Sequence, residues 1–515
     1  MKVQLLFRGG DFDWSEALPW NADALNADLA LDTLFHAMAE SDAVILETVQ
    51  KVVLSATEGD IETILYRQDV LRDCLEHSSI VRELYDIATD AMDKEKKHYL
   101  GTLARYPHWV LRDAVEQMEM FGALLSKLRS LADGHAHRFE SEGWTALFNR
   151  LKHQLDDAYF RQVVDHLAQL KLHGAMLLSA GLGEDNKPAN YVMHRSTVEK
   201  QSLWREIWEW FFPPKPTANS FSIHPRDEAG ARALERIRDE GIAFAATTLA
   251  QSRDHIRDFF GALRSEMAFY IGCLNLHKLL VGKGEPVCFP IPKPARDWTL
   301  AFQGLYDASL ALTIRQRAIG SDADAGHRSL IIITGANQGG KSTFLRSVGL
   351  AQLMMQSGMF VGAASFSGSI SRGLYTHYKR EESAALESGK FDEELSRMSE
   401  IVNHLVPSAM VLFNESFAAT NEREGSEIAF QILSGLLDRG IRVVCVTHLY
   451  ELAHRFYEES KGAGLFLQPD RRADGTRTFR IIEGQPLPTS FGSDLYQAIF
   501  SSDPGEGRPV AHAEP

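Results

Sequence analysis

The octet Gly335-Ala336-Asn337-Gln338-Gly339-Gly340-Lys341-Ser342 narrows the fold of this chain more than any other feature. It has the form G-x-x-x-x-G-K-[ST] and follows the apolar run Leu330 to Ile333. That run predicts a buried strand, and the octet predicts a loop whose backbone N–H groups cradle phosphates. Beyond Lys341, the apolar residues Phe344, Leu345, Val348 and Leu353 share one helical face, and Ser357-Gly358 is a stop signal. Strand, glycine loop and helix come in the required order, so the alternative of a glycine-rich turn in an unrelated α/β domain is disfavoured. ATP or GTP is the expected ligand. In that geometry the N–H groups of Ala336 to Ser342 face the polyphosphate, Lys341 reaches its outer phosphates, and the Ser342 hydroxyl ligates Mg²⁺.

Downstream, Ala409 to Phe413 is a second apolar strand candidate and ends in Asn414-Glu415. A carboxylate at this place orients and polarises an attacking water, while the residue before it helps hold Mg²⁺. Glu415 suits the first role. Asn414 brings a neutral oxygen where an aspartate is usual, so the metal site loses one negative charge. A third apolar strand, Ile441 to Val446, leads into Thr447-His448. Alone, His448 reads as an ordinary loop histidine. Its place after the first two motifs favours a histidine that senses the γ-phosphate or steadies the water.

These residues resemble a known family. Gly335 to Thr343, with Asn337 at the third position, is similar to the ATP loop of the MutS DNA mismatch repair ATPases. Thr447-His448-Leu449-Tyr450-Glu451-Leu452 resembles the family's Thr-His-(x)-(x)-Glu-Leu segment, and Thr489-Ser490-Phe491-Gly492 its late Ser-Tyr-Gly turn. The resemblance implies ATP bound by Gly335, Ala336, Asn337, Gln338, Gly339, Gly340, Lys341, Ser342 and Thr343. It also implies Asn337 at the γ-phosphate or attacking water, Glu415 as catalytic carboxylate, and His448 linking nucleotide state to a dimer interface. Two departures stand out. Asn414 replaces the family's aspartate, and Glu387 to Glu394 lies where the family carries a Ser/Thr signature that reaches the partner subunit's ATP. Ser388 and Gly389 are the candidates for that contact, whereas Asp392 to Glu394 reads as a solvated charged loop.

At 515 residues the chain exceeds what one core serves, so more than one domain is expected. We expect a multidomain protein: an all-α helical core/lever domain followed by an α/β P-loop (ABC-like) ATPase domain. The expected limits are 1–26 for a polar lead-in, 27–285 for the helical domain with a possible reduced clamp, 286–500 for the ATPase domain, and 501–515 for a disordered Gly/Pro/Ala-rich tail. Leu31, Leu34, Phe35 and Met38 keep a helical period, as do Leu111, Val115, Met118, Gly122 and Leu125. Leu31 to Phe35 and Tyr66 to Leu71 resemble the core and lever helices of MutS proteins. Breaks fall near Gly181 to Pro188 and Phe211 to Pro216, and Pro286 to Pro294 reads as a proline-punctuated linker.

Arg195, Lys200, Arg205, Lys215 and Arg226 lie among Trp204, Trp208, Trp210, Phe211 and Phe212. This interleaving suits two readings: contact with DNA phosphates, or a helix that packs its tryptophans inward, the commoner use of large aromatics. Cys74, Cys273, Cys288 and Cys445 have neither metal spacing nor close pairing and read as reduced thiols. No signal peptide or membrane span is expected, which favours the cytoplasm, with nucleoid association when DNA is bound. The helical region begins within thirty residues, so the family's mismatch-reading wedge domain is not expected. A net charge of −15 argues against a broadly basic surface, although a ring-shaped dimer needs only a local basic lining.

The resulting expectation is a homodimeric, MutS-type ATPase using ATP and Mg²⁺, with the metal on Ser342 and, directly or through water, on Asn414. Its composite sites would control clamping on mismatched, branched or distorted double-stranded DNA during repair or recombination. Two alternatives stay open: an ABC/SMC-like chromosome ATPase, and an ATP-gated binding switch with little or no hydrolysis.

Overall fold

The structure, a computed structural model, describes residues 1–15, 17–58, 60–97, 107–170, 177–182, 188–194, 228–335, 338–380, 389–460, 462–472 and 476–486. It divides into two compact units, Met1–Leu5 with His77–Met267, and Leu6–Glu76 with Ala268–Pro515. These units cut across the expected limits at 27 and 286. Residues 6–76 belong with the nucleotide-loop region, because their apolar faces and side-chain hydrogen bonds are satisfied there.

Helices α1 (Ala22–Asp28), α2 (Leu31–Ala39), α3 (Ala43–Leu54) and α4 (Ile61–Glu76) make up that early segment. The Asp42 carboxylate caps α3 by accepting from the N–H groups of Val44 and Ile45. Leu31, Leu34, Phe35 and Met38 are all buried, as their spacing predicts. The expected polar lead-in is corrected. Val3, Leu5 and Leu6 are fully buried, and Asn21 Nδ2 donates to Leu374 O across 2.8 Å.

The first unit holds α5 (Ser78–Lys96), α6 (Pro107–His135), α7 (Glu142–Gln154), α8 (Asp157–Leu170) and the antiparallel hairpin β1 (Leu177–Leu182) with β2 (Pro188–His194). Leu111, Val115 and Met118 pack with Leu167, Ile242 and Ala246. Arg150 ties the chain start to this unit by donating to Val3 O and Gln4 Oε1. The break expected at 181–188 is flanked by this hairpin rather than by loop alone. Helix α9 (Glu228–Gly282) runs 55 residues without interruption, counted with the first unit to Met267 and with the second from Ala268. The Arg/Trp cluster between 195 and 226, the Thr489 to Gly492 turn and the tail after Ser501 lie outside the described residues.

In the second unit the order continues β3 (Ile291–Lys293), β4 (Leu300–Leu305), α10 (Ala308–Thr313), β5 (Ser321–Asp324), β6 (Leu330–Ile333), α11 (Lys341–Gln356), β7 (Ser365–Ser369), β8 (Leu374–Tyr378), α12 (Lys390–His404), β9 (Met410–Asn414), α13 (Glu422–Asp438), β10 (Arg442–Val446), α14 (Tyr450–Ser460), β11 (Gly464–Arg471) and β12 (Arg477–Glu483). The main sheet has the order β12-β11-β6-β10-β9-β8, parallel except for the β11–β12 pair. Its middle strands are near-continuous apolar runs because helices cover both faces. A second sheet, β3-β7-β4-β5, incorporates Ile291–Lys293, so part of the expected linker is a strand paired with β7.

The early helices are built into this unit. A Cβ on Gly349 of α11 would come within 2.6 Å of Leu29 and 2.7 Å of Leu412, so the missing side chain permits that close approach. Gln356 Nε2 donates to Ala56 O, and Arg67 Nε to Leu6 O. The charged loop expected at 392–394 is corrected as well. Asp392 and Glu393 occupy the first turn of α12, where acids favour a helix start, and Glu394 is 3% exposed. Among the described residues no helix is long and apolar enough to cross a membrane.

Candidate functional site

The register of the parallel sheet assembles the site. Ile333 of β6, Val446 of β10 and Asn414 of β9 are level across three neighbouring strands. The segments leaving these carboxyl ends, the loop from Gly335, Thr447-His448 and Glu415, therefore meet at one edge, where open α/β sheets bind ligands.

The loop's conformation needs its glycines. Gly335 has φ 104° and Gly340 φ 91°. A Cβ at Gly335 would press on Pro469 at 2.9 Å, so the β11–β12 hairpin lies directly over the loop. Arg477 from the same hairpin donates to Gln338 Oε1 across 2.9 Å. Helix α11 starts at Lys341, so its N-terminal end faces the loop. Lys341 Nζ donates to Gly335 O across 2.8 Å. Burial pushes its ammonium down to about 8, with Glu415 opposing the shift. A buried ammonium is thus held where incoming phosphates would add negative charge beside it.

Glu415 sits at φ 55°, a left-handed conformation that costs a non-glycine residue about 1–2 kcal/mol. Its N–H donates to Val446 O, and its Oε1 lies 2.7 Å from His448 Nε2. A carboxylate only accepts, so that nitrogen carries the proton. The His448 hydrogen bond is the main cause holding the Glu415 carboxyl below its ordinary range; burial opposes it, and Lys341 and Lys379 add to it. Ser342 Oγ donates to Asn414 Oδ1 across 3.0 Å. The two oxygens expected on Mg²⁺ are therefore adjacent. The donor set fits a hard, oxygen-seeking cation with one protein charge fewer than usual.

A cavity of about 550 Å³ opens beside Gly340 and Thr343. Its walls include Tyr306, Leu310, Ile314, Ile319 and Phe479, a size and lining suited to the flat, largely apolar face of a nucleobase. Phe479 is 48% exposed at φ 58°. Phe479 reaches this wall from β12, far along the chain from the phosphate loop, so no motif spacing in the sequence marks it. An apolar ring between Thr478 and Arg480 was its only local signal.

Of the residues singled out from sequence, the structure brings together Gly335, Gly340, Lys341, Ser342, Thr343, Asn414, Glu415 and His448. Gln338 and Gly339 lie in the same loop. Ala336, Asn337 and Ser388 lie outside the described residues. Gly389 is the residue before α12.

Comparison with known proteins gives two family matches. The family model for the MutS2 N-terminal domain matches residues 59–282, and that for MutS domain V matches residues 331–501. Similar relatives include the "Endonuclease MutS2" of Geobacillus kaustophilus, 34% identical over 140 residues, 27% of this chain and 18% of the relative. The protein of that name from Lacticaseibacillus casei is 28% identical over 258 residues, 49% of this chain and 32% of the relative. That from Streptococcus suis is 26% identical over 378 residues, 72% of this chain and 46% of the relative. The chain spans less than half the length of these relatives. With domain V beginning on the strand that feeds the phosphate loop, and the MutS2 N-terminal domain matched ahead of it, the chain belongs to the MutS family.

Proposed function

We propose that this chain is an ATPase that uses ATP and Mg²⁺ to control its hold on branched or otherwise distorted double-stranded DNA, in repair or recombination. The observation that carries the proposal is the 2.7 Å pairing of Glu415 with His448 at the sheet edge that also bears Lys341. In this reading the loop from Gly335 to Thr343 binds the phosphates, Asn337 included, and the Phe479 cavity takes the base. Ser342 and Asn414 would hold Mg²⁺, which supplies charge neutralisation on the phosphates. Glu415, kept ionised by His448, orients and polarises the attacking water. Its lowered pKa makes it a weak base, which suits a loose phosphoryl transition state that needs alignment more than early proton removal.

A homodimer would complete each site through Ser388 and Gly389 of the partner, so that nucleotide state opens or closes the helical levers around DNA. Asn414 supports a second reading, in which ATP binding switches the protein and hydrolysis is slow. Steady-state ATP hydrolysis by the wild type, Lys341→Ala and Glu415→Gln, each with duplex, mismatched and four-way-junction DNA, tests both. Hydrolysis that needs both residues and responds to one DNA structure supports the ATPase. ATP binding without hydrolysis or any DNA effect favours the switch.

A further inference from the structure

We propose that His377 and Ser416 form a buried positioning pair that fixes the Glu415 turn and ties it to helix α12. The inference rests on the ATPase reading above and deepens it. His377, on β8, is 0% exposed. An imidazole in an apolar core is costly unless its nitrogens are satisfied, and both are. Nε2 lies 3.0 Å from Glu394 O on α12, and Nδ1 lies 2.7 Å from Ser416 Oγ.

The chemistry fixes the tautomer. A carbonyl only accepts, so Nε2 carries the proton and donates to Glu394 O, leaving Nδ1 as an acceptor. Burial, with Arg397 adding, pushes the imidazole down to about 4 and keeps it neutral. The Ser416 hydroxyl then has two acceptors within reach, Nδ1 and the His377 carbonyl oxygen at 2.5 Å, and both belong to the same residue. Whichever one it bonds, Ser416 is anchored to His377.

Ser416 lies between two non-glycine residues in left-handed conformations, Glu415 at φ 55° and Phe417 at φ 63°. Such a turn persists only where its surroundings over-determine it. Here the Ser416 hydroxyl is pinned from β8, and the Phe417 ring stacks on the His377 ring at 5.2 Å and 16°. The result is a Glu415 carboxylate aimed at His448. The other end of the pair is Glu394, in the second turn of the helix that Gly389 precedes. A displacement at that helix start is therefore felt, through one imidazole, by the residue next to the carboxylate that orients water.

The test uses the full chain. His377→Phe keeps the stacked ring and removes both nitrogens, Ser416→Ala removes the hydroxyl, and Ser416→Thr retains it. Each of the first two is expected to lower kcat about tenfold, with ATP KM and equilibrium ATP affinity within about twofold of wild type. The double variant falls no further than the slower single, and Ser416→Thr keeps kcat within about twofold. Unchanged kcat in Ser416→Ala, or losses that multiply in the double variant, overturn the pair. If His377→Phe no longer binds ATP, it has misfolded, and the two Ser416 variants decide. A wild-type rate equal to that of Lys341→Ala sinks the ATPase reading, and the pair with it.

Discussion

Ser342 Oγ donates to the side-chain oxygen of Asn414 across 3.0 Å, so the helix start and the β9 end offer one cation two oxygens and no carboxylate between them. Asn414→Asp adds the missing charge at the same place. Half-saturating Mg²⁺ for ATP hydrolysis should fall about tenfold or more, with kcat rising if metal occupancy limits turnover. A Mg²⁺ titration of both proteins checks this; superimposable curves refute it.

Lys341 carries a pH signature. Its folded pKa of about 8 lies below its ordinary 10.5. Between those values the unfolded chain binds more protons, so this group makes the fold more stable as pH rises from 8 to 10.5. Bound phosphates would restore the charge, so ATP binding near pH 8.5 should take up a proton and weaken as pH rises. Calorimetry in two buffers of different ionisation enthalpy measures that uptake. Equal heats in both buffers contradict it.

Phe479 is the exposed one of the aromatic residues that line the cavity beside Thr343. Base–aromatic stacking is worth about 1–3 kcal/mol. Phe479→Ala should therefore weaken ATP binding about tenfold while leaving saturated kcat within about twofold. A fall confined to kcat would place the base elsewhere.

At Gly349 a helix rule and a packing rule oppose each other. Alanine in place of glycine usually favours a helix by about 0.5–1 kcal/mol. Here the added methyl meets Leu29 at 2.6 Å and Leu412 at 2.7 Å. Packing should win, giving a net destabilisation of about 1–3 kcal/mol by urea unfolding. A stabilised variant would show that Leu29 does not press on α11.

What the sequence reveals of this molecule is what local pattern encodes. The strand before Gly335, the helix after Lys341 and its stop at Gly358 are all written in adjacent residues. Asn414 and His448 are legible because apolar runs deliver them to strand ends. The Ser416–His377 contact was not, since a serine after a glutamate and a histidine in a strand carry no periodic signal. Glu394 misled for a related reason: its charge suggests solvent, while its position in the second turn of α12 turns it inward. Helix α9 runs on through Gly241, Gly261 and Gly272, residues that ordinarily weaken a helix interior. At Gly272 a Cβ would lie 2.8 Å from Val49, so that glycine serves close packing and not a turn. The union of residues 6–76 with the phosphate-loop unit depends on pairs hundreds of positions apart, beyond the reach of any window.

That union sets the order of events during synthesis. Ala56 and Gln356 are hydrogen-bonded and 300 residues apart, and Asn21 and Leu374 are 353 apart. At roughly 5–20 residues per second, helices α1 to α4 leave the ribosome about 15–60 s before their partners exist. During that interval the faces that will bury Leu25, Leu29 and Leu34 are open to water or to other chains. Until β6 to β10 emerge, those faces have no finished core to enter. The protein's yield in a cell should depend on elongation rate as well as on the stability of the finished fold.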